Sequence, residues 1–299
     1  MDTDRGMFHG MLALGMLDQR ALRRAPTFLP DTAQAPDSVP GFFDHPLGVS
    51  PFGTGQRQVP CGDWIARICS LEWNEWTLAR ALLSPSHTIL ELGARYGTTS
   101  CVLSQITRNS GRVIAIEPDP SVSQALAFNR IQHNCSFQLW QGTVSERPMS
   151  LGDPSYKGKF NFDYAQVTTA ITNTSLHRRV LPHVSHVSSL EDALGLRVDA
   201  LLIDCEGCID ELWGAVDFAR IEVIIMEEDG PKKKQAKGYS AVHERLRELG
   251  FERVWRVHGE DKCEHSGWRR RGTLPGLPSC EEYAARMKLN ETLLSCLKP

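Results

Sequence analysis

Residues 89–97, ILELGARYG, decide the fold of this 299-residue chain. A short apolar run of strand length carries one charge, Glu91, and turns through Gly93 and Gly97 into TTSCVLSQITR (98–108), which reads as a helix. Small residues suit a turn where the backbone must approach a ligand closely, and the helix that follows offers free amides and a positive end. Just before it, SLEWNEWTLARALL (70–83) sets Trp76, Ala79 and Leu83 at helical spacing, which predicts an amphipathic helix leading into the first strand.

Working outward, strands and helices alternate. GRVIAIE (111–117) is a strand, a helix is expected from Pro120 to about Gln132 with Asp119 as its cap, and FQLWQG (137–142) is the next strand. The alternation resumes with DALLID (199–204), a helix from about Cys208 to Phe218, IEVIIMEE (221–228), a helix with Val242, Leu246 and Leu249 on one face, and FERVWRV (251–257). Such alternation implies a parallel sheet covered by helices, an α/β fold. Between the two halves, Thr143 to His186 shows no period and reads as a long excursion of the kind that often carries function. Residues 1–60 are broken by recurring prolines and read as an irregular extension; 61–258 form the α/β domain; 259–299 are a C-terminal elaboration in which Ser279 and Glu282 cap a final helix.

Composition narrows the function classes. Charged residues make up 23% of the chain, hydrophobic residues 41%, and the formal net charge is -3. That balance fits a globular protein and offers no general attraction to nucleic acid, so none is expected as a partner. Lys232 to Lys234 and Arg269 to Arg271 read as solvated basic runs. The apolar stretch MFHGMLALGML (7–17) is too short to span a membrane. Nine cysteines, scattered through expected strands and helices, read as reduced thiols, and with them a cytoplasmic location is expected.

The second strand also ends in an acid. Glu117 lies about 26 positions beyond Glu91, near the spacing of roughly 20 at which dinucleotide-binding folds place a ribose-binding carboxylate. The glycine pattern argues against NAD or NADP and an oxidoreductase, because Arg95 stands where a GxGxxG turn needs its second glycine. It suits S-adenosylmethionine instead.

With these motifs in place, the stretch from Glu75 to Glu227 resembles the FkbM family of methyltransferases. The resemblance is carried by ELGARYGTTS with Gly93, Ala94 and Gly97, by GRVIAIEPDP with Glu117, Pro118 and Pro120, by FQLWQGTVSE and SSLEDAL, and by LLIDCEGCIDELW with Asp204, Glu206 and Gly207, followed by IIMEE. Arg95 departs from the asparagine common in the family. The resemblance implies a Rossmann-like, class I methyltransferase fold with a mixed seven-stranded sheet. It also implies transfer of a methyl group from S-adenosylmethionine, usually to oxygen on a small-molecule or sugar-like acceptor. By position it places Glu91, Gly93, Ala94 and Gly97 around the methionine part, Glu117 with Pro118 at the ribose, and Gly142 with Thr143 near adenine. Asp204 and Glu206 are assigned to the reacting centre.

Other constellations weigh less. His177, His183 and His186 lie in the excursion and are candidates for taking a hydroxyl proton, with surface histidine as the plain reading. Cys205 and Cys208 form a CxxC with no second pair, so zinc is not expected there, even with Cys263 and His265 available. Mg²⁺ held by Asp204 with Glu227, Glu228 and Asp229 is the alternative to solvated surface acids; the latter reading is taken and no metal is assigned. A nucleotide-binding scaffold without catalysis is the competing class, since a fold does not fix a function.

Overall fold

The computed structural model describes residues 72–120, 122–151, 168–170, 181–205, 208–228, 236–258 and 264–272. The extension 1–60 and the capped helix after Ser279 therefore lie outside the described residues. In chain order the elements are α1 Trp73–Leu82, β1 Ile89–Leu92, α2 Thr98–Ile106, β2 Val113–Ile116, α3 Ser123–Gln132 and β3 Phe137–Trp140. Short strands β4 Thr143–Val144, β5 Met149–Leu151, β6 Thr168–Ala170 and β7 His183–Val184 follow. The second half holds α4 Ser188–Leu194, β8 Ala200–Ile203, a 3₁₀ turn Cys208–Glu211, β9 Val223–Glu228, α5 Ala236–Glu248, β10 Phe251–His258 and β11 Glu264–Arg270.

Seven of these strands form one sheet in the order β10-β11-β9-β8-β1-β2-β3. The run from β3 to β9 is parallel, while β11 inserts between β9 and β10 and runs antiparallel to both. This is the mixed, seven-stranded Rossmann-like sheet expected from the sequence. Because β11 pairs inside it, the sheet continues past residue 258 into the segment read as an elaboration.

Alternation of side chains along each strand divides the core between two faces. Ile89, Val113, Ala115, Leu202 and Ile225 face Leu78 and Leu82 of α1 and Leu103 of α2. Leu90, Ile114, Leu201 and Ile224 face Leu190 of α4 and Val242 and Leu246 of α5. Covering both faces explains why the central strands are apolar throughout, and each such side chain contributes about 1.5 to 3 kcal/mol on burial.

Several local expectations are corrected. The helix after Asp119 begins only at Ser123, with Val122 at its cap position, because Asp119 turns the chain: its carbonyl accepts from Val122 N and its own amide is held by the Glu117 carboxylate. The helix expected from Cys208 to Phe218 is one 3₁₀ turn followed by bends, tucked in so that Ile209, Leu212, Ala215 and Val216 are buried. Gly214 lies in those bends against Glu146 of the first half, where even a Cβ would collide with the carboxylate. The excursion is not wholly irregular, since β4 pairs with β7 and β5 with β6. The reading of all nine cysteines as reduced thiols is overturned: Cys101 of α2 bonds Cys135 ahead of β3, and Cys205 bonds Cys208. The first pair is 34 residues apart in the chain, and packing brings its Cα atoms to 5.1 Å.

Gly93 has φ +96°, and a Cβ there would stand 1.7 Å from the Asp204 carbonyl oxygen. Gly93→Ala is expected to destabilise the protein by more than about 3 kcal/mol, because unfavourable backbone sterics and a backbone collision add together. Gly195→Ala, at φ +66° with nothing within 4 Å, supplies the control and should cost only about 1 kcal/mol in urea unfolding.

Candidate active site

The order of the sheet reverses between β1, which begins the walk outward to β3, and β8, which begins the walk to β9. In open α/β sheets ligands lie in the crevice beyond the carboxyl ends at such a point. Gly93 leaves β1 there, and its amide and that of Ala94 both donate to Ile116 O of β2, while Asp204 N donates to Leu92 O. Gly93 thus admits the Asp204 backbone at close range. The sequence argument for a small residue assumed a ligand; the structure puts a neighbouring strand end in that space.

The turn is braced by Glu117, which is 3% exposed. One of its carboxylate oxygens accepts from Arg95 N and the other from Asp119 N, both at 2.7 Å. Burial pushes this carboxyl up to about 7, against the pull of those two amides and of the Arg95 charge. Arg95 itself has φ +45° and pairs with Asp119 through Nη1 at 3.3 Å, so it closes the two turns onto each other. Gly97, at φ +82°, caps α2, and Asn129 of α3 donates to Tyr96 O behind it.

Past β3 the chain bends back toward the same place. Gly142 N donates to Glu117 O, and Thr143 N to Pro182 O. Beside Gly142 lies Trp140 Nε1, a buried donor without a hydrogen-bond partner. The sequence reading missed it, although a tryptophan closing a strand whose neighbour ends in Glu117 was a visible signal.

Glu91 lies differently from the residues of the turn. It is fully buried on the α1 and α2 face of β1, where Ser100 Oγ donates to one oxygen at 2.5 Å and the other oxygen makes no hydrogen bond. Burial pushes its carboxyl up to about 8; Ser100 opposes the shift, and Glu72 and Glu117 add to it. Glu91 supports the turn from beneath.

Acids also converge at the ends of β8 and β9. Ile203 is in register with Met226, so Asp204 and Glu227 follow on neighbouring strands, and their carboxyl groups hydrogen-bond. Glu72 and Glu75, at the start of α1, complete the group. Desolvation first, then repulsion from Glu227 and Glu75, raises the Asp204 carboxyl well above its ordinary value. Glu228 turns away: it accepts from His243 at 2.8 Å, and although burial works to raise it, His243 and Ser266 hold it below the ordinary value. The acids of β9 therefore split, one joining Asp204 and one leaving it. Glu206, Asp229, Cys263 and His177 lie outside the described residues, while His183 is partly exposed in β7 and His186 is exposed. The disulfide removes Cys205 and Cys208 from any thiolate metal site.

No family model matches the chain, and no curated protein matches it. Among solved structures it is similar to precorrin-6y C5,15-methyltransferase from Geobacter metallireducens GS-15, with 15% identity over 71% of this chain and 96% of that one and a TM-score of 0.42. It is similar also to ribosomal protein L11 methylase from Lactobacillus delbrueckii subsp. bulgaricus, at 11% identity, 71% and 84% coverage and TM-score 0.40. A third is Aeropyrum pernix fibrillarin with natively bound S-adenosyl-L-methionine, at 16% identity, 66% and 76% coverage and TM-score 0.39. The fold assignment rests on the strand order itself.

Glu91 sets a pH dependence of stability. Its carboxyl moves from 4.5 to about 8 on folding, so between those values the native chain holds a proton that the unfolded chain has released. Unfolding free energy should fall as pH rises through that window and level off above it. Glu91→Gln is expected to remove this share of the decline, measured by urea unfolding from pH 5 to 9.

Proposed function

We propose that this chain transfers a methyl group from S-adenosylmethionine to a hydroxyl oxygen of a small-molecule acceptor, as its resemblance to the FkbM methyltransferases implies. The observation that carries the reading is the buried Glu117 carboxylate at the end of β2, tied to the glycine turn by Arg95 N. A carboxylate has roughly four acceptor positions, and the two amides use two, which leaves capacity for a pair of ribose hydroxyls. One further feature fits the same cofactor: the Trp140 donor beside Gly142, suited to a heterocycle's acceptor.

On this reading Gly93, Ala94 and Gly97 hold the methionine part, Glu117 and Pro118 the ribose, and Gly142 and Thr143 the adenine. Glu91 acts from behind the turn. The bound cofactor supplies an already activated methyl group. The protein's task is then to align an acceptor oxygen and exclude water, and orientation of that kind is worth several kcal/mol. The excursion from Thr143 to His186, with the N-terminal extension, is assigned to the acceptor side.

Binding and turnover test this separately. Glu117→Ala should weaken S-adenosylmethionine about 10- to 100-fold in calorimetry, because a charge-assisted hydrogen bond contributes about 1.5 to 3 kcal/mol. Hydroxyl donors favour the ionised carboxylate, so wild-type Kd should rise as pH falls below about 7, and Glu117→Gln should lose that dependence. Unchanged affinity in a folded variant refutes the ribose role.

Asp204→Asn is expected to bind cofactor normally while losing most turnover, read as one added methyl in the product mass spectrum of an acceptor panel. Cofactor binding with no product from any acceptor would favour a scaffold.

A further inference from the structure

Three side chains from distant parts of the chain meet beyond β9. Glu75 comes from the first turn of α1, Glu227 from the end of β9 and His265 from the start of β11. Antiparallel pairing puts His265 directly opposite Glu227, and α1 lays Glu75 over both. One donor atom from each lies within 4.8 Å of the others.

The distances are informative. His265 Nε2 stands 3.9 Å from Glu75 Oε1 and 3.9 Å from Glu227 Oε1. That is too long for a hydrogen bond, which needs about 3.2 Å or less. Two donors bound to one ion at about 2.0 to 2.2 Å each are separated by roughly 3 to 4 Å, so both 3.9 Å spacings, those of an ion pair, also fit ligands sharing a centre.

A second observation points to a ligand. Glu75 is 1% exposed, and its Oε1, the atom directed at His265, is buried without any hydrogen bond. A carboxylate oxygen sealed from water with no donor is costly, and a cation there relieves that cost. The surrounding contacts match a metal's outer shell: Thr99 Oγ1 donates to the other Glu75 oxygen at 3.3 Å, Trp76 Nε1 holds Thr99 at 2.9 Å, and the Asn74 side-chain amide faces His265 Nδ1 at 3.5 Å.

We propose that Glu75, Glu227 and His265 form a binding site for one divalent transition-metal cation. Two carboxylates and one imidazole suit Zn²⁺ or Mn²⁺, while Mg²⁺ prefers oxygen donors and water. Three protein ligands leave a position for an exogenous oxygen, the pattern of a catalytic site and not of a closed structural one. No metal was expected from the sequence, and the site differs from the alternative weighed there, Asp204 with Glu227, Glu228 and Asp229, since Glu228 is engaged with His243 and two of the three ligands lie outside that set.

The metal-binding readouts need neither methyl acceptor nor cofactor, so they stand or fall apart from the methyl-transfer reading, and S-adenosylmethionine affinity of the same variants is measured as a separate arm. The chelator-treated full chain is titrated with Mn²⁺ under electron paramagnetic resonance, with Zn²⁺ as competitor, and thermal unfolding is followed in parallel. One Mn²⁺ per chain, displaced by Zn²⁺, with a raised Tm, is expected. His265→Gln and Glu227→Gln should each weaken binding at least 10-fold and abolish the Tm rise, while Glu228→Gln should leave both intact. The partly exposed Glu227 serves as the second variant should the buried His265 change impair folding. Absence of stoichiometric binding, or equal binding in Glu227→Gln and wild type, overturns the proposal. So does weakened S-adenosylmethionine affinity in these variants with metal binding unaltered, which would assign the cluster to the cofactor's ammonium.

Discussion

The close passage of the Asp204 carbonyl over Gly93 is the constraint on which the rest of the crevice depends. A side chain at position 93 would occupy the place of that oxygen, and only glycine accepts the required φ of +96° without strain. The two strand ends touch, and β1 and β8 lie side by side where the sheet order reverses. Glu117 then fastens the turn by accepting Arg95 N, and Gly142 N fastens the next strand end to Glu117 O. The first of these ties joins a main-chain amide to the Glu117 side chain and the second joins two main-chain groups, both at strand termini.

The same architecture gathers acids. Glu91, Glu117, Asp204, Glu75 and Glu227 all lie at or near the carboxyl ends of parallel strands, and most are buried. Burial raises Glu91, Glu117, Glu75 and Asp204 alike, and in each case loss of water is the largest cause. A protein that concentrates carboxylates in poor solvent accepts a standing cost to stability, and such costs recur where a ligand or reaction uses the groups. The pattern suits a cationic ligand at the turn and a metal ion beyond β9, two separate ways of relieving one excess of negative charge.

The edges of the sheet show how local and distant information combine. β10 and β11 form an antiparallel hairpin, but β11 sits inside, between β10 and β9. That placement brings His265 to the carboxyl end of β9 and buries Trp268 against α5 through its contact with His243. Had β10 paired with β9 instead, His265 would lie one strand further out and the metal ligands would not meet.

The sequence by itself determined the alternation of strands and helices, the glycine turn, the acid closing β2 and the class of fold. These are written in short-range periodicity and in residues whose backbone demands are local, such as Gly93, Gly97 and Glu117. Tertiary structure alone decided which distant groups meet. Asn74 and His265, 191 positions apart, face each other because a helix from the beginning of the domain packs over a strand from its end. Cys101 found Cys135 in the same way, and Glu227 and Glu228 parted because adjacent strand residues point to opposite faces. Periodicity reports which face a residue takes; partner choice is made by packing between elements far apart in the chain, and no local pattern encodes it.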